Sequence, residues 1–189
     1  ALRTFKSADI WIDSSIFYGN KDTAIDSYSG TNFTVRNCTF RNNLSKSYGG
    51  GVYITETSKV AVEASNFILN KAKKGAAVYI SKINIVLVLA SVFIQNVADH
   101  RGAAHIYETN LVVVQASVFI LNKAKEGGAV YTYLAASQHY YNCSFLNNTA
   151  DSKTGGAAFR SYKSVEIYSD SSIFHGNKFS AITSGIGKM

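Results

Sequence analysis

The chain reads as an all-β solenoid: a right-handed parallel β-helix of about seven rungs, with three short strands in each. Three observations predict it. A Phe-x-x-Asn unit recurs as Phe17…Asn20, Phe40…Asn43, Phe67…Asn70, Phe93…Asn96, Phe119…Asn122, Phe145…Asn148 and Phe174…Asn177, in steps of 23, 27, 26, 26, 26 and 29 residues. Self-similarity at a period of roughly 20–50 residues is the mark of stacked repeats. A glycine-led unit lies between the copies, at Gly49–Tyr53, Gly75–Tyr79, Gly102–Ile106, Gly127–Tyr131 and Gly155–Phe159. Proline is absent, as expected of continuous ladders in which every backbone N–H is used.

Each rung repeats the same parts. A β-rich run such as Ile85–Leu89 leads into a small-residue corner, filled by Ser14, Asn37, Ala64, Ala90, Ala116, Asn142 and Ser171. A Ser or Cys follows, then a spacer, then the Phe. Residues two apart share one face of a strand, so this pair is expected to point inward. The Asn three residues after Phe is expected at the next turn, where it tolerates unusual backbone angles. Stacked on its own copies it would form an inward amide ladder. A polar loop and the glycine unit complete the rung. Like strands stacked in one sense make parallel sheets, and the chirality of crossovers makes the coil right-handed.

Composition narrows the function classes. The 189 residues carry a net charge of +7, and no apolar run approaches the roughly 20 residues of a membrane-spanning helix. A basic surface suits acidic partners, although solubility alone would also explain it. The loop lysines, Lys71, Lys73, Lys74, Lys123 and Lys125 foremost, are expected along one edge of the stack, where they could follow glycans or acidic polysaccharides. These loops lack the interleaved aromatics of nucleic-acid readers, so no nucleic-acid partner is expected. Cys38 and Cys143 occupy the column that Ser15, Ser65, Ser91, Ser117 and Ser172 fill elsewhere. Four rungs at about 4.8 Å separate them, too far for a disulfide.

Catalytic equipment is thin. Glycoside hydrolysis needs two carboxylates roughly 5–9 Å apart. The column four residues before Phe reads Asp13, Arg36, Glu63, Leu89, Gln115, Tyr141 and Asp170, with no acids on adjacent rungs. Asp22 and Asp26 have no acidic successors. His100, His105 and Glu108 are the most metal-like group, but His105 reads as a replacement for Val78 and Val130 within a strand column. No catalytic residue, cofactor or metal site is expected. Five N-glycosylation sequons begin at Asn32, Asn37, Asn43, Asn142 and Asn147. Asn43 is a ladder position expected to be buried. Asn37 and Asn142 are matching corner residues and the better acceptors, with Asn32 and Asn147 beside them.

The paired motifs Phe-x-x-Asn and Gly-Gly-Ala-[Val/Ile] resemble the repeats of chlamydial polymorphic outer-membrane proteins, over nearly the whole chain. The resemblance implies a surface adhesin or stalk, extracellular or on the cell surface, and carries over no catalytic residue. That family's autotransporter barrel has no counterpart here. A longer repeat overlies the short one: Ala1–Ser7 matches Ala158–Ser164, and Asp13–Phe17 matches Asp170–Phe174, both at an offset of 157. Residues 1–189 therefore read as a single β-helix that is a segment of a longer array, or one that stacks on copies of itself into a filament. The expected function is a non-catalytic structural or adhesive fibre. The alternatives are a pectin-lyase-like carbohydrate-active enzyme and a module that binds glycans through the basic loop edge.

Overall fold

The structure is a computed structural model that describes residues 1–152 and 155–185. The described residues form a coil of three parallel sheets without helices. The largest sheet stacks the strands Leu2–Asp13, Ile25–Arg36, Val52–Glu63, Val78–Leu89, Ala104–Gln115 and Val130–Tyr141. Its next layer is split into Phe159–Tyr162 and Glu166–Asp170, and Ile182–Gly185 begins another. The second sheet stacks seven three-residue strands, each centred on a repeat Phe. The third is narrow: Lys71–Lys74, Val97–Arg101, Lys123–Ala124 and Thr149–Ala150.

The rung therefore has one long and two short strands, not three short ones. The glycine unit and the later β-rich run belong to the same 12-residue strand. A left-handed residue bends it midway, at Lys6, Ser29, Glu56, Lys82, Glu108, Leu134 and Lys163. None of these is glycine, although L-residues in that region pay roughly 1–2 kcal/mol each. Twenty non-glycine residues have positive φ among those described, and only four are Asn, so the hydrogen-bonded stack overrides local preference.

The other corners follow the same rule. Ser14, Asn37, Ala64, Ala90, Ala116, Asn142 and Ser171 all adopt φ between 44° and 51°. At the second corner the left-handed residue is the one before the ladder Asn: Gly19, Asn42, Leu69, Gln95, Leu121, Asn147 and Gly176. The ladder Asn is thus chosen for its amide and not, as its place at the turn suggested, for tolerance of left-handed backbone.

Inside, like stacks on like. The seven repeat Phe rings form one pile with centroids 4.6–5.1 Å apart and planes within 8° of parallel. Offset stacking at this spacing adds to the burial energy of each ring. Aliphatic columns such as Val60–Val86–Val112 fill the rest. Gln138 continues that column, yet it is buried without loss: it accepts from the Thr132 and Tyr140 hydroxyls and donates to Ser161 Oγ. Burial pushes the Tyr140 phenol far above its ordinary pKa, so it stays a donor.

Candidate functional site

The amide ladder is the most ordered polar feature. Each Asn Nδ2 donates to the Oδ1 of the Asn one rung on, at 2.8–3.1 Å from Asn20 through to Asn177. From Asn43 onward it also donates to the Phe carbonyl of the preceding rung, as Asn70 does to Phe40. Each Asn backbone N–H donates to the same Oδ1 as its side chain. Asn70, Asn96, Asn122 and Asn148 are 0% exposed, and the end members Asn20 and Asn177 are half-buried. A second ladder lies beside it. The N–H groups of Cys38, Ser65, Ser91 and Cys143 donate to the serine hydroxyl of the next rung, and those hydroxyls and thiols donate to the carbonyl two residues back. Both cysteines are free and buried, and burial raises their pKa.

Function must use the outside, and the most structured exterior feature is a seam. The outward column Arg3, Asp26, Tyr53, Tyr79, His105, Tyr131, Arg160 is in continuous register. A second column, Tyr48, Lys74, Arg101, Glu126, comes from the loops and the third sheet and roofs the first. Tyr48 packs on Tyr53 and Tyr79 at 6.1 and 4.7 Å, Arg101 lies 4.7 Å above Tyr131, and Glu126 reaches Arg160 at 3.4 Å. Burial and neighbouring tyrosines push the Tyr79 phenol up to about 12.

His105 belongs to this seam, and its place is a correction. It stands opposite Tyr79 and Tyr131, not Val78 and Val130; Ala104 holds the valine position. The segment between Gly102 and the strand is one residue shorter than after Gly75 or Gly127, which hid the register. The same one-residue slip affects Phe159, which pairs with Val130, because the left-handed glycine of that rung is Gly156 and not Gly155. His105 lies between the Tyr79 and Tyr131 rings at 4.9 and 5.1 Å, with no hydrogen bond at either ring nitrogen. Burial, then Arg101 and Lys74, holds its pKa well below the usual value, so it is neutral. His100 is exposed in the third sheet and Glu108 sits at the strand bend, so these residues do not converge; among the described residues no group could hold a metal.

The seam opens into two cavities. One, of about 320 Å³, is lined by Arg3, Asp22, Asp26, Tyr28, Tyr48 and Tyr53, among others. It brings together the two acids that the sequence left isolated, but Arg3 holds Asp26 Oδ2 with two nitrogens at 2.8 and 2.9 Å. The other, of about 430 Å³, is lined by Lys74, His100, Arg101, Lys125 and Glu126.

The basic loop residues do not form one row. Lys71 and Lys123 share a column with Val97 between them, and Lys123 pairs with Asp151 at 3.3 Å. Lys73 is exposed, Lys74 lies 5.4 Å from the Tyr48 ring, and Lys125 joins the larger cavity. The sequons divide as expected from their positions: Asn43 is buried in the ladder, whereas Asn32, Asn37, Asn142 and Asn147 are exposed. Asn32 and Asn37 donate to Asp9 and Asp13.

One polar group had no signal in the spacing. Ser137 Oγ is 3.0 Å from His139 Nε2 and donates to Glu166 Oε2 at 3.3 Å, while His139 Nδ1 meets the Tyr141 hydroxyl at 2.8 Å. The group spans two rungs on an outer sheet face. A phenol, not a carboxylate, orients the imidazole, and Glu166 competes for the serine proton, so it lacks the charge arrangement of a hydrolytic triad.

A family model described as a right-handed β-helix region matches residues 2–150. The chain belongs to that family. No curated protein and no solved structure matches it. The β-helix assignment agrees with the handedness expected from the crossovers, and it covers every rung of the seam's larger cavity.

Proposed function

We propose that this β-helix is a non-catalytic structural and adhesive rod, extracellular or on the cell surface, forming a segment of a longer fibre. The observation that carries the reading is the polarity of the amide ladder. In the amide-to-amide bonds each Nδ2 donates to the Oδ1 of the next rung, in one sense from Asn20 to Asn177, so a further rung or a second copy placed head to tail would continue it. Heterologous contacts that do not close produce filaments. The likeness of the repeats to chlamydial surface adhesins supports the location, and the four exposed sequons fit a glycoprotein.

Surface labelling of intact cells that make the protein, with electron microscopy of the purified chain, tests the reading. Surface-exposed rods that join end to end are expected; a protein confined to the cytosol, or globular particles, would overturn it. A carbohydrate-active role is favoured by one feature, the cavity holding Asp22 and Asp26. New reducing ends from polygalacturonate, lost in Asp26→Asn, would establish that role instead.

A further inference from the structure

We propose that the cavity formed by Lys74, His100, Arg101 and Lys125 is a discrete binding site for a tetrahedral oxyanion, a sulfate or phosphate monoester carried on a larger ligand. The inference stands on the cavity itself and does not depend on the rod being a fibre or an adhesin.

Stacking makes the site. Lys74 and Arg101 are register partners on adjacent rungs, so their charges are held about one strand spacing apart at the backbone. Two like charges so placed repel unless something neutralises them. His100, in the third sheet, and Lys125, just after the strand Lys123–Ala124, come from successive rungs and line the same cavity of about 430 Å³, a size typical of ligand sites. Among the described residues Glu126 is the one carboxylate in the lining, and its charge is divided. It meets Arg101 at 3.5 Å and Arg160 at 3.4 Å, both longer than a tight charge-assisted bond of roughly 2.7–2.9 Å. The lining thus keeps a net positive charge, with guanidinium and ammonium donors facing open space.

The floor makes the site rigid. Arg101 rests on the Tyr131 ring at 4.7 Å and Lys74 on the Tyr48 ring at 5.4 Å, which places both cations on aromatic faces, with Arg101 Nε turned to Glu126 at 3.5 Å. Neutral His105 lies beneath, between Tyr79 and Tyr131. A planar guanidinium beside an ammonium offers several donors to one centre, which suits a group with three or four equivalent oxygens. Two other lysines of the third sheet differ: Lys123 already has Asp151, and Lys71 has Val97 as its neighbour.

Titration of the purified chain with inorganic sulfate and inorganic phosphate, read by backbone amide NMR shifts, tests the site. Saturable shifts centred on Arg101 and Glu126 are expected. The pair His100→Gln/Lys125→Gln removes two donors from exposed positions and is expected to weaken binding at least tenfold. The pair Lys71→Gln/Lys123→Gln removes two lysines of the third sheet outside the cavity and is expected to change it less than twofold. Saturation by one anion alone assigns the ester as sulfate or phosphate. Non-saturating shifts, or equal weakening by both pairs, would overturn the proposal and leave only a diffuse effect of net charge.

Discussion

Replacing Asn96 by alanine removes a central rung of the amide ladder. Asn96 Oδ1 accepts from the backbone N–H and the side chain of Asn70, at 3.0 Å each. Its Nδ2 donates to Phe67 O at 2.9 Å and to Asn122 Oδ1 at 3.0 Å. The site is fully buried, so no water replaces the missing amide. An orphaned buried N–H costs about 1–3 kcal/mol, and each of the other lost bonds about 0.5–1.5 kcal/mol net. The sum is about 5 kcal/mol. At about 2–4 °C per kcal/mol for a chain of this size, the melting temperature should fall by about 10–20 °C. Lys73→Ala, an exposed side chain one loop away, is the reference and should stay within about 0.5 kcal/mol of the parent. Thermal and urea unfolding followed by circular dichroism measure both. A loss below about 1 kcal/mol for Asn96→Ala, or equal losses for the two variants, would refute a ladder that carries load.

Because burial and the nearby Arg101 and Lys74 cations depress the His105 pKa, the unfolded chain binds a proton at His105 before the folded chain does. Stability should fall as pH drops below about 6.5, by up to about 1.4 kcal/mol per unit, and His105→Phe should flatten that slope in urea titrations taken at several pH values. Gly50→Ala would place a Cβ 2.5 Å from Ala76 O and 2.7 Å from Lys71 O, so it should unfold the chain at markedly lower urea than Gly19→Ala, whose Cβ meets nothing within 4 Å. Both thiols should resist a water-soluble disulfide reagent in the native state, since Cys38 and Cys143 are buried and their pKa values are raised; two should react after denaturation.

The legible part of this molecule is its interior. Phe and Asn announce their columns because the interval from the start of each long strand to its Phe never changes: Ile25 to Phe40, Val52 to Phe67 and Ala104 to Phe119 are all 15 apart. The length of the loop before the strand does vary, and aligning the copies on their glycines displaced His105 and Phe159 by one residue. That slip moves a side chain from the core to the exterior face, which is why His105 looked like a substituted valine. The bend in the long strand was invisible because Glu56, Lys82 and Leu134 carry no left-handed signature; cross-rung hydrogen bonds impose it. The seam depends on that bend and on the loops lying over it. Hence the lysines could be read as a group, but not sorted into those facing Asp151 and those facing the cavity.

The central claim is that successive rungs lie in direct register. Disulfide trapping tests it most directly, in a background with Cys38→Ser and Cys143→Ser. Lys59 and Ile85 are register partners, and Leu111 stands opposite Ile85 one rung further on. Adjacent strands bring Cα atoms to about 4.8 Å, within disulfide reach, whereas two rungs lie at about 9.6 Å, outside it. Lys59→Cys/Ile85→Cys should oxidise completely under mild conditions, and Lys59→Cys/Leu111→Cys should remain reduced. Cross-linking of the second pair, or of neither, would contradict the stacked coil.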